Sequence, residues 1–182
     1  PQGTLYGMNT EGGLIRLYSR NPFQYQGTDV KLSVGTKLHR QIEASHYEKL
    51  NDKMAYSVAG FYGGQNGFFR NQYDGSRADL INEFGGKGRF LWRPTDRLNF
   101  DIIADYQYTR QNGFPYGQVV TEDELSSATI TSPLHGMKAG TQSANQNRQG
   151  NYRRNIINTG MGIKYAGNGF DINSMTSWQF LR

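Results

Sequence analysis

The chain has 182 residues, 13% of them aromatic and 23 of them glycine, and it contains no cysteine. The lack of cysteine excludes a disulfide framework and a thiolate metal site. The net charge of +5 comes from basic residues interspersed with acidic ones, which argues against a nucleic-acid partner. The sequence has no run of about 20 apolar residues, so a membrane-spanning helix is excluded, whereas the alternating strands of a membrane β-barrel are not.

Residues 1–22 read PQGTLYGMNTEGGLIRLYSRNP. The segment opens on a glycine-punctuated, strand-like pattern without a leader or a helix cap, so we expect the chain to be an excerpt of a longer polypeptide. A phosphate-binding glycine loop would need a helix after Gly13. The residues that follow, Leu14 to Tyr18, are strand-like instead, so these glycines do not predict nucleotide binding.

Seven segments alternate between apolar and polar residues. The clearest runs from Arg97 to Arg110, where the even positions from Leu98 to Tyr108 are apolar and the odd positions are polar apart from Ile103. Such alternation is typical of strands with one apolar face. The other six segments lie near 29–35, 40–49, 54–63, 83–93, 157–165 and 170–180. The sequence therefore predicts an all-β fold, an up-and-down antiparallel sheet.

The connections between these strands differ in length in a regular order. Tight turns are predicted at 50–53, 94–96 and 167–168, and long loops at 66–82 and 111–151. From the second strand onward, the short turns lie on one edge of the sheet and the long loops on the other. Outer-membrane barrels have this arrangement, with short turns in the periplasm and long loops outside the cell, so we expect the loops 66–82 and 111–151 to be extracellular. A loop as long as 111–151 is also hard to place in a compact soluble domain.

Aromatic side chains on the apolar face fall into two groups, like the two girdles of a membrane barrel. The group near the short turns is Trp92, Tyr165 and Phe170, and the group toward the long loops is Tyr62, Tyr106, Tyr108, Trp178 and Phe180. The buried inner face of a soluble β-sandwich would accept the same aromatics. The loop arrangement favours a partial transmembrane β-barrel, with Ile102 facing lipid between the two groups.

Apolar residues must pair with apolar residues on neighbouring strands, and this predicts the register of two hairpins. A three-residue connection pairs Arg93 with Arg97. A two-residue turn led by Gly167 pairs Tyr165 with Phe170. Each register places one ion pair on the polar face, inside the barrel. The two predicted pairs are Arg89–Asp101 and Lys164–Asp171.

No catalytic or metal-binding pattern is evident in the sequence. The three histidines, His39, His46 and His135, have no ligand spacing, and no serine has a convincing histidine and acid partner. The acidic run from Glu122 to Glu124 is typical of a solvated loop tip. We therefore expect neither an enzyme nor a cofactor.

The N-terminal segment resembles the closing segment of the plug domain in TonB-dependent outer-membrane receptors. In that family a run of the form PQG-x-LYG-x-N-x-x-GG-x-I ends the plug, and the barrel begins just after it. The matching plug-motif residues are Gly3, Leu5, Tyr6, Gly7, Asn9, Gly12 and Gly13. Met8 stands where the family usually has arginine, so any salt bridge of that arginine to the barrel wall is missing here. The stretches 66–71 and 85–115 are also similar to early barrel strands of the family.

The resemblance implies that residues 1–24 are the end of a plug and that 25–182 are the first seven or so strands of a 22-stranded barrel. It implies a place in the outer membrane of a Gram-negative bacterium, in contact with lipid. The implied function is active import of a scarce nutrient, foremost an iron-siderophore complex, with haem, cobalamin or a glycan as other cargoes. Energy would come from the TonB complex, through a segment absent here. A passive porin-like barrel and a soluble β-sheet adhesin or glycan-binding module remain as alternatives.

In such a receptor the cargo, a small organic nutrient or a metal chelate, meets the long-loop ends of the strands. The residues there include cations, an amide and aromatic rings, which suit an organic chelate with anionic and aromatic groups. The candidate substrate-binding residues are Arg110, Gln111, Arg70, Tyr73, Phe114 and Tyr116. For Phe114 and Tyr116, anchoring at the membrane interface is the alternative reading.

Overall fold

The computed structural model of the protein describes residues 19–71, 73–112, 122–126, 143–144, 147 and 150–182. The plug-motif residues at 3–13 and the candidates Phe114 and Tyr116 lie outside these ranges. The described strands are β1 (Gly27–Gly35), β2 (His39–Lys49), β3 (Met54–Gln65), β4 (Arg70–Asn71), β5 (Ile81–Thr95), β6 (Leu98–Asn112), β7 (Ser143–Ala144), β8 (Asn151–Ala166) and β9 (Asp171–Leu181). The domain boundary predicted after residue 24 stays a prediction.

Seven of these strands form one antiparallel sheet in the order β1-β2-β3-β5-β6-β8-β9. Each strand pairs with the next long strand of the chain, so the predicted up-and-down meander is confirmed. Strands β5, β6 and β8 extend beyond their apolar alternation, because backbone hydrogen bonds continue toward the loops. The Asn112 N–H, for example, donates to the Leu80 carbonyl at 2.9 Å. The long loops are therefore 66–80 and 113–150.

Two features of the long loops were not predicted. Strands β4 and β7 form a small parallel pair apart from the main sheet. The acidic run, predicted as a loop tip, begins a one-turn helix, α1 (Glu122–Ser126). Acidic side chains in the first turn stabilise a helix through its positive N-terminal end. Among the residues that the structure describes, no helix is long and apolar enough to cross a membrane.

The main sheet has one apolar and one polar face. One row of side chains level across the apolar face is Val30, Ala44, Gly60, Gly86, Tyr106, Ile157 and Phe180. The adjacent row on the polar face is Asp29, Ser45, Ala59, Lys87, Asp105, Asn158 and Gln179. In the described part of the chain, the buried hydrophobic side chains are Ala55 and Leu91, whereas Leu32 is 71% exposed and Ile172 is 52% exposed. An apolar surface of this extent must be covered by lipid or by protein.

The hairpin between β5 and β6 has a two-residue turn, and its predicted register is wrong by two residues. Trp92 lies opposite Phe100 and Thr95 lies opposite Leu98, with a bulge between these pairs. Pro94 lies in the bulge, where its missing N–H removes no hydrogen bond from the ladder. Without the bulge, a two-residue turn would place apolar side chains opposite polar ones. The bulge adds one residue to β5 and so restores the pairing of apolar with apolar side chains.

The turn between β8 and β9 lies one residue later than predicted. The Gly167 N–H donates to the Phe170 carbonyl at 2.7 Å, so the two residues between them form the tip. The second tip residue is Gly169, whose φ is 83°. Glycine adopts this left-handed conformation without the steric cost that other residues incur. The position of the turn is therefore determined by Gly169, and not by Gly167 as predicted.

The displaced turn changes the predicted ion pair on this hairpin. Lys164 lies opposite Asn173, and Asp171 lies opposite Ala166. The predicted Lys164–Asp171 pair is therefore wrong, because moving a hairpin turn by one residue moves the register by two. The two-residue shift preserves the faces, so Lys164 remains on the polar face.

The aromatic side chains of the apolar face gather toward its two edges. Near the short turn, Trp92 stacks on Phe100 with ring centroids 5.2 Å apart. Toward the long loops, Phe84 contacts Tyr108 with ring centroids 5.1 Å apart. Trp178 lies level with the middle of β6, between these groups, rather than with the second group as predicted.

Candidate functional site

The polar face carries an open groove of about 770 Å³. Its charged lining residues are Arg20, Asp29, Lys31, Glu43, Lys87 and Asp105. The segment before β1 lies against the same face, where Lys87 Nζ donates to Ser19 Oγ at 2.9 Å and Arg89 Nη1 donates to the Arg20 carbonyl at 3.4 Å. The chain that enters the sheet is thus held on the polar face, opposite the exposed apolar side chains.

A compact polar cluster fixes this entry. Arg20 forms an ion pair with Asp29 at 2.8 Å, and the Tyr25 hydroxyl donates to the same carboxylate at 2.9 Å. The Arg20 guanidinium lies 4.4 Å from the centroid of the Tyr25 ring. The hydrogen bond to the Asp29 carboxylate raises the pKa of Tyr25, because it stabilises the protonated phenol. These contacts direct residues 19–25 along the wall of the groove.

Arg89 and Asp101 form a two-point ion pair on the polar face. Arg89 Nε lies 2.9 Å from Asp101 Oδ1, and Nη2 lies 2.7 Å from Oδ2. The two residues are not directly opposite, since Arg89 faces Ile103 and Asp101 faces Leu91. The long arginine side chain reaches its partner diagonally, so this predicted ion pair is present in spite of the wrong register.

A row of hydrogen-bonded side chains continues across the polar face. Asn158 Nδ2 donates to Asp105 Oδ2 at 2.7 Å, and Gln179 Nε2 donates to Asn158 Oδ1 at 2.7 Å. Lys87 lies directly opposite Asp105 on the next strand. Amide, carboxylate and ammonium groups therefore line four neighbouring strands, a surface that suits water and polar solutes.

The loop 66–80 is built around the carboxylate of Asp79, which is 9% exposed. The Phe68 N–H donates to Asp79 Oδ2 at 2.7 Å, and the Phe69 N–H donates to Oδ1 at 2.9 Å. Gly67 lies against the same carboxylate with a φ of 77°, so a side chain at this position would collide with Asp79. This carboxylate replaces the backbone partners that a loop lacks.

Asn71 provides a second anchor for the loop and is fully buried. Its N–H donates to the Ser76 carbonyl, its carbonyl accepts the Gly75 N–H, and both distances are 2.8 Å. Hydrogen bonds from the Ser76 hydroxyl and N–H lower the pKa of Asp74. Sequence reasoning missed Asp79 and Asn71; the dipeptides Asn-Gly at 66–67 and Asp-Gly at 74–75 were the available signals of tight turns.

Two of the predicted site residues lie in this loop. Arg70 Nε donates to the Gly75 carbonyl at 3.0 Å, so part of its guanidinium holds the loop together. Tyr73 is 67% exposed, and Phe68 is 55% exposed. The loop therefore presents two aromatic rings on a hydrogen-bonded frame.

The structure separates Arg110 from Gln111, which were predicted to act together. Both are in β6, where successive side chains point to opposite faces. Arg110 lies level with Asn82 and Arg153 on the apolar face, whereas Gln111 lies level with Ile81 on the polar face. Gln111 thus lies on the same face of the sheet as the groove, and Arg110 lies on the opposite face.

Within the described ranges, no group of three or more histidine, aspartate or glutamate side chains could hold a metal ion. His46 instead contacts Thr28 through Nδ1 at 2.8 Å and Glu48 through Nε2 at 3.4 Å. Glu48 also accepts a hydrogen bond from the Tyr56 hydroxyl at 2.8 Å. This histidine is part of a polar cluster on the apolar face.

Comparison with known proteins shows a similarity to an outer-membrane protein. No family model matches the chain, and no solved structure matches it significantly. Over 155 residues, 82% of this chain, the sequence is 24% identical to the ferrichrome outer membrane transporter/phage receptor of Escherichia coli (strain K12). The chain spans about one fifth of that protein, 20% of its length. The relative is a transporter and receptor rather than an enzyme. The seven-stranded meander is consistent with part of a β-barrel. The similarity supports the resemblance of this chain to TonB-dependent receptors.

Proposed function

We propose that this chain is part of an outer-membrane TonB-dependent transporter. The observation that carries the proposal is the two-faced sheet: one face exposes apolar side chains, and the other holds the preceding segment through Lys87 and Arg89. A barrel in lipid needs apolar side chains outside and polar side chains around its contents. The similarity to an outer membrane transporter supports the same location.

The proposed cargo is an iron-siderophore complex, with haem or cobalamin as other members of the same class of scarce nutrients. The similar protein is named as a ferrichrome transporter, and this name supports a cargo of the same class. Energy would reach the barrel through the TonB complex. We also propose that the seven strands of the sheet are part of a 22-stranded barrel.

We revise the proposed binding residues according to the faces on which the residues of β6 lie. Gln111 on the polar face, with Tyr73 and Arg70 in the loop 66–80, stays in the candidate site at the long-loop end. Phe114 and Tyr116 stay candidates outside the described residues. Arg110 is removed from the site because it lies on the apolar face.

Uptake of a labelled iron chelate by intact cells tests the function. A strain without the gene should lose uptake, and the full-length gene should restore it. An uncoupler of the proton gradient should stop uptake while surface binding of the chelate continues, since transport depends on TonB. Uptake that persists with the uncoupler would indicate a passive channel and overturn the proposal.

The same assay tests the revised site. The double variant Tyr73→Ala, Gln111→Ala should bind the chelate more weakly, whereas Arg110→Ala should behave as the unmodified receptor. All variants are first matched for the amount of protein in the outer membrane. Equal losses in both variants would show that the face assignment of Arg110 is wrong.

A further inference from the structure

The tripeptide Asn-Gly-Phe occurs three times in the chain, at 66–68, 112–114 and 168–170. An asparagine that precedes glycine is prone to lose its side-chain amide, because glycine has no Cβ to shield its own backbone nitrogen. Residues 113 and 114 lie outside the described residues, so the structure compares the first copy with the third. Because the copies are identical, a difference in their reactivity must come from their surroundings.

The reaction takes place between the asparagine and the nitrogen of the next residue. That nitrogen loses its proton to hydroxide and attacks the side-chain Cγ. The bond from Cγ to Nδ2 breaks, and ammonia leaves with a proton from water, which returns the hydroxide. Water then opens the resulting succinimide ring at Cγ, which gives aspartate, or at the main-chain carbonyl carbon, which gives isoaspartate. Both products carry a new carboxylate, and no reagent other than water and hydroxide is needed.

The first copy is held in place by the loop 66–80. Gly67 is buried, has a φ of 77° and lies against the Asp79 carboxylate. The Asn66 N–H donates to the Lys37 carbonyl at 2.9 Å, and the Phe68 N–H donates to Asp79 Oδ2 at 2.7 Å. The main chain is thus fixed on both sides of the Gly67 nitrogen. Rotation of this nitrogen toward the Asn66 side chain would break these hydrogen bonds.

The third copy forms the open tip of the turn between β8 and β9. Asn168 and Gly169 are exposed, and a Cβ on Gly169 would meet nothing within 4 Å. Within the described ranges, neither the Asn168 side chain nor the Gly169 N–H forms a hydrogen bond. The ends of the tip are held instead, by the hydrogen bond from the Gly167 N–H to the Phe170 carbonyl at 2.7 Å. The two tip residues can therefore rotate while the strands stay paired.

We propose that Asn168 is a site of spontaneous deamidation in the folded protein, and that the fold protects Asn66 from the same reaction. Either product adds one negative charge to the exposed turn. Isoaspartate also routes the main chain through the former side chain, which lengthens the chain between Gly167 and Phe170 by one carbon. This product would weaken the hydrogen bond that closes the turn.

Peptide mapping by mass spectrometry of the folded full-length protein in detergent tests the proposal. During incubation at mildly alkaline pH, Asn168 should react about tenfold faster than Asn66, since reaction at Asn66 must first break a hydrogen bond to the Asp79 carboxylate. The matched control is the same protein unfolded in urea, in which the identical tripeptides should react at similar rates. Digestion at acid pH stops the reaction, and heat-dependent gel migration checks folding.

Two variants test the physical reasons separately. Asp79→Ala removes the acceptor of the Phe68 and Phe69 N–H groups. It should accelerate the reaction at Asn66 about tenfold and leave Asn168 unchanged. Asn168→Gln should abolish the modification of the turn, because the longer side chain would have to close a less favourable six-membered ring.

Three outcomes would overturn the inference. Equal rates at Asn66 and Asn168 in the folded protein would show that the fold does not select the site. A difference of the same size in urea would assign it to the preceding residues, Gln65 and Gly167. An unchanged rate at Asn66 in Asp79→Ala would remove Asp79 from the protection. None of these measurements involves uptake, so failure of the proposed function would leave the inference standing.

Discussion

At Gly67, one hydrogen atom in place of a side chain decides whether a whole loop can form. The backbone there has a φ of 77°, and the position of a Cβ is taken by the Asp79 carboxylate. That carboxylate cannot move away without releasing the N–H groups of Phe68 and Phe69. Steric and hydrogen-bonding demands therefore coincide at one residue.

We expect Gly67→Ala to destabilise the loop 66–80 by about 1–3 kcal/mol, through the left-handed backbone and the lost Asp79 bonds. Hydrogen exchange of the loop amides, read by mass spectrometry, should accelerate. Gly88→Ala is the control, because a Cβ at Gly88 meets nothing within 4 Å. Similar exchange in the two variants would contradict this account of the loop.

Residue-scale chemistry also explains where sequence reasoning failed for the candidate site. Arg110 and Gln111 are neighbours in sequence and are predicted to belong to one site, although the alternation of β6 continues to Asn112 and puts them on opposite faces. The sequence does not identify Asp79, because its hydrogen-bond donors lie 10 and 11 residues earlier and approach it only in the folded loop. Contacts of this kind leave no periodic signal.

At the scale of strands, the prediction of the sheet succeeded and the prediction of its registers did not. Alternation over residues such as 97–110 is a direct consequence of having one apolar face, so all seven strands could be found. Register depends instead on local backbone chemistry at the turns. The missing N–H of Pro94 permits a bulge, and the positive φ of Gly169 selects the tip of the next turn.

The corrected register of β8 and β9 can be measured by cross-linking, since the described chain has no cysteine of its own. We expect Lys164→Cys with Asn173→Cys to form a disulfide readily, because directly opposite residues bring their Cβ atoms within reach. The pair Lys164→Cys with Asp171→Cys is diagonal and should react slowly. Faster reaction of the diagonal pair would restore the register predicted from the sequence.

The assignment of the apolar face is tested in the middle of β6. Ile102→Arg should destabilise the inserted barrel by roughly 2–4 kcal/mol, the cost of an arginine facing lipid near the midplane. Gln107→Arg is the control, since Gln107 lines the polar groove. Folding is followed by heat-dependent gel migration of the outer-membrane fraction. An Ile102→Arg variant that folds and inserts like the control would mean that this face is not in lipid.

For the whole molecule, the distribution of loops sets which segments are accessible from outside the cell. Protease added to intact cells should cut the protein within 113–150 and spare the turns at Asp96–Arg97 and Asn168–Gly169. Lysed cells provide the comparison, because both edges of the sheet are then open to the enzyme. Cutting of intact cells at the short turns alone would invert the proposed orientation.

The parallel pairing of β4 with β7 has a consequence for motion. Arg70 and Asn71 of one long loop are paired in backbone with residues 143–144 of the other. Residues 70–71 and 143–144 therefore share a junction, and neither pair can move far unless it carries the other or breaks the pairing. A force that displaces residues 70–71 would therefore also displace residues 143–144, so the two segments would move jointly.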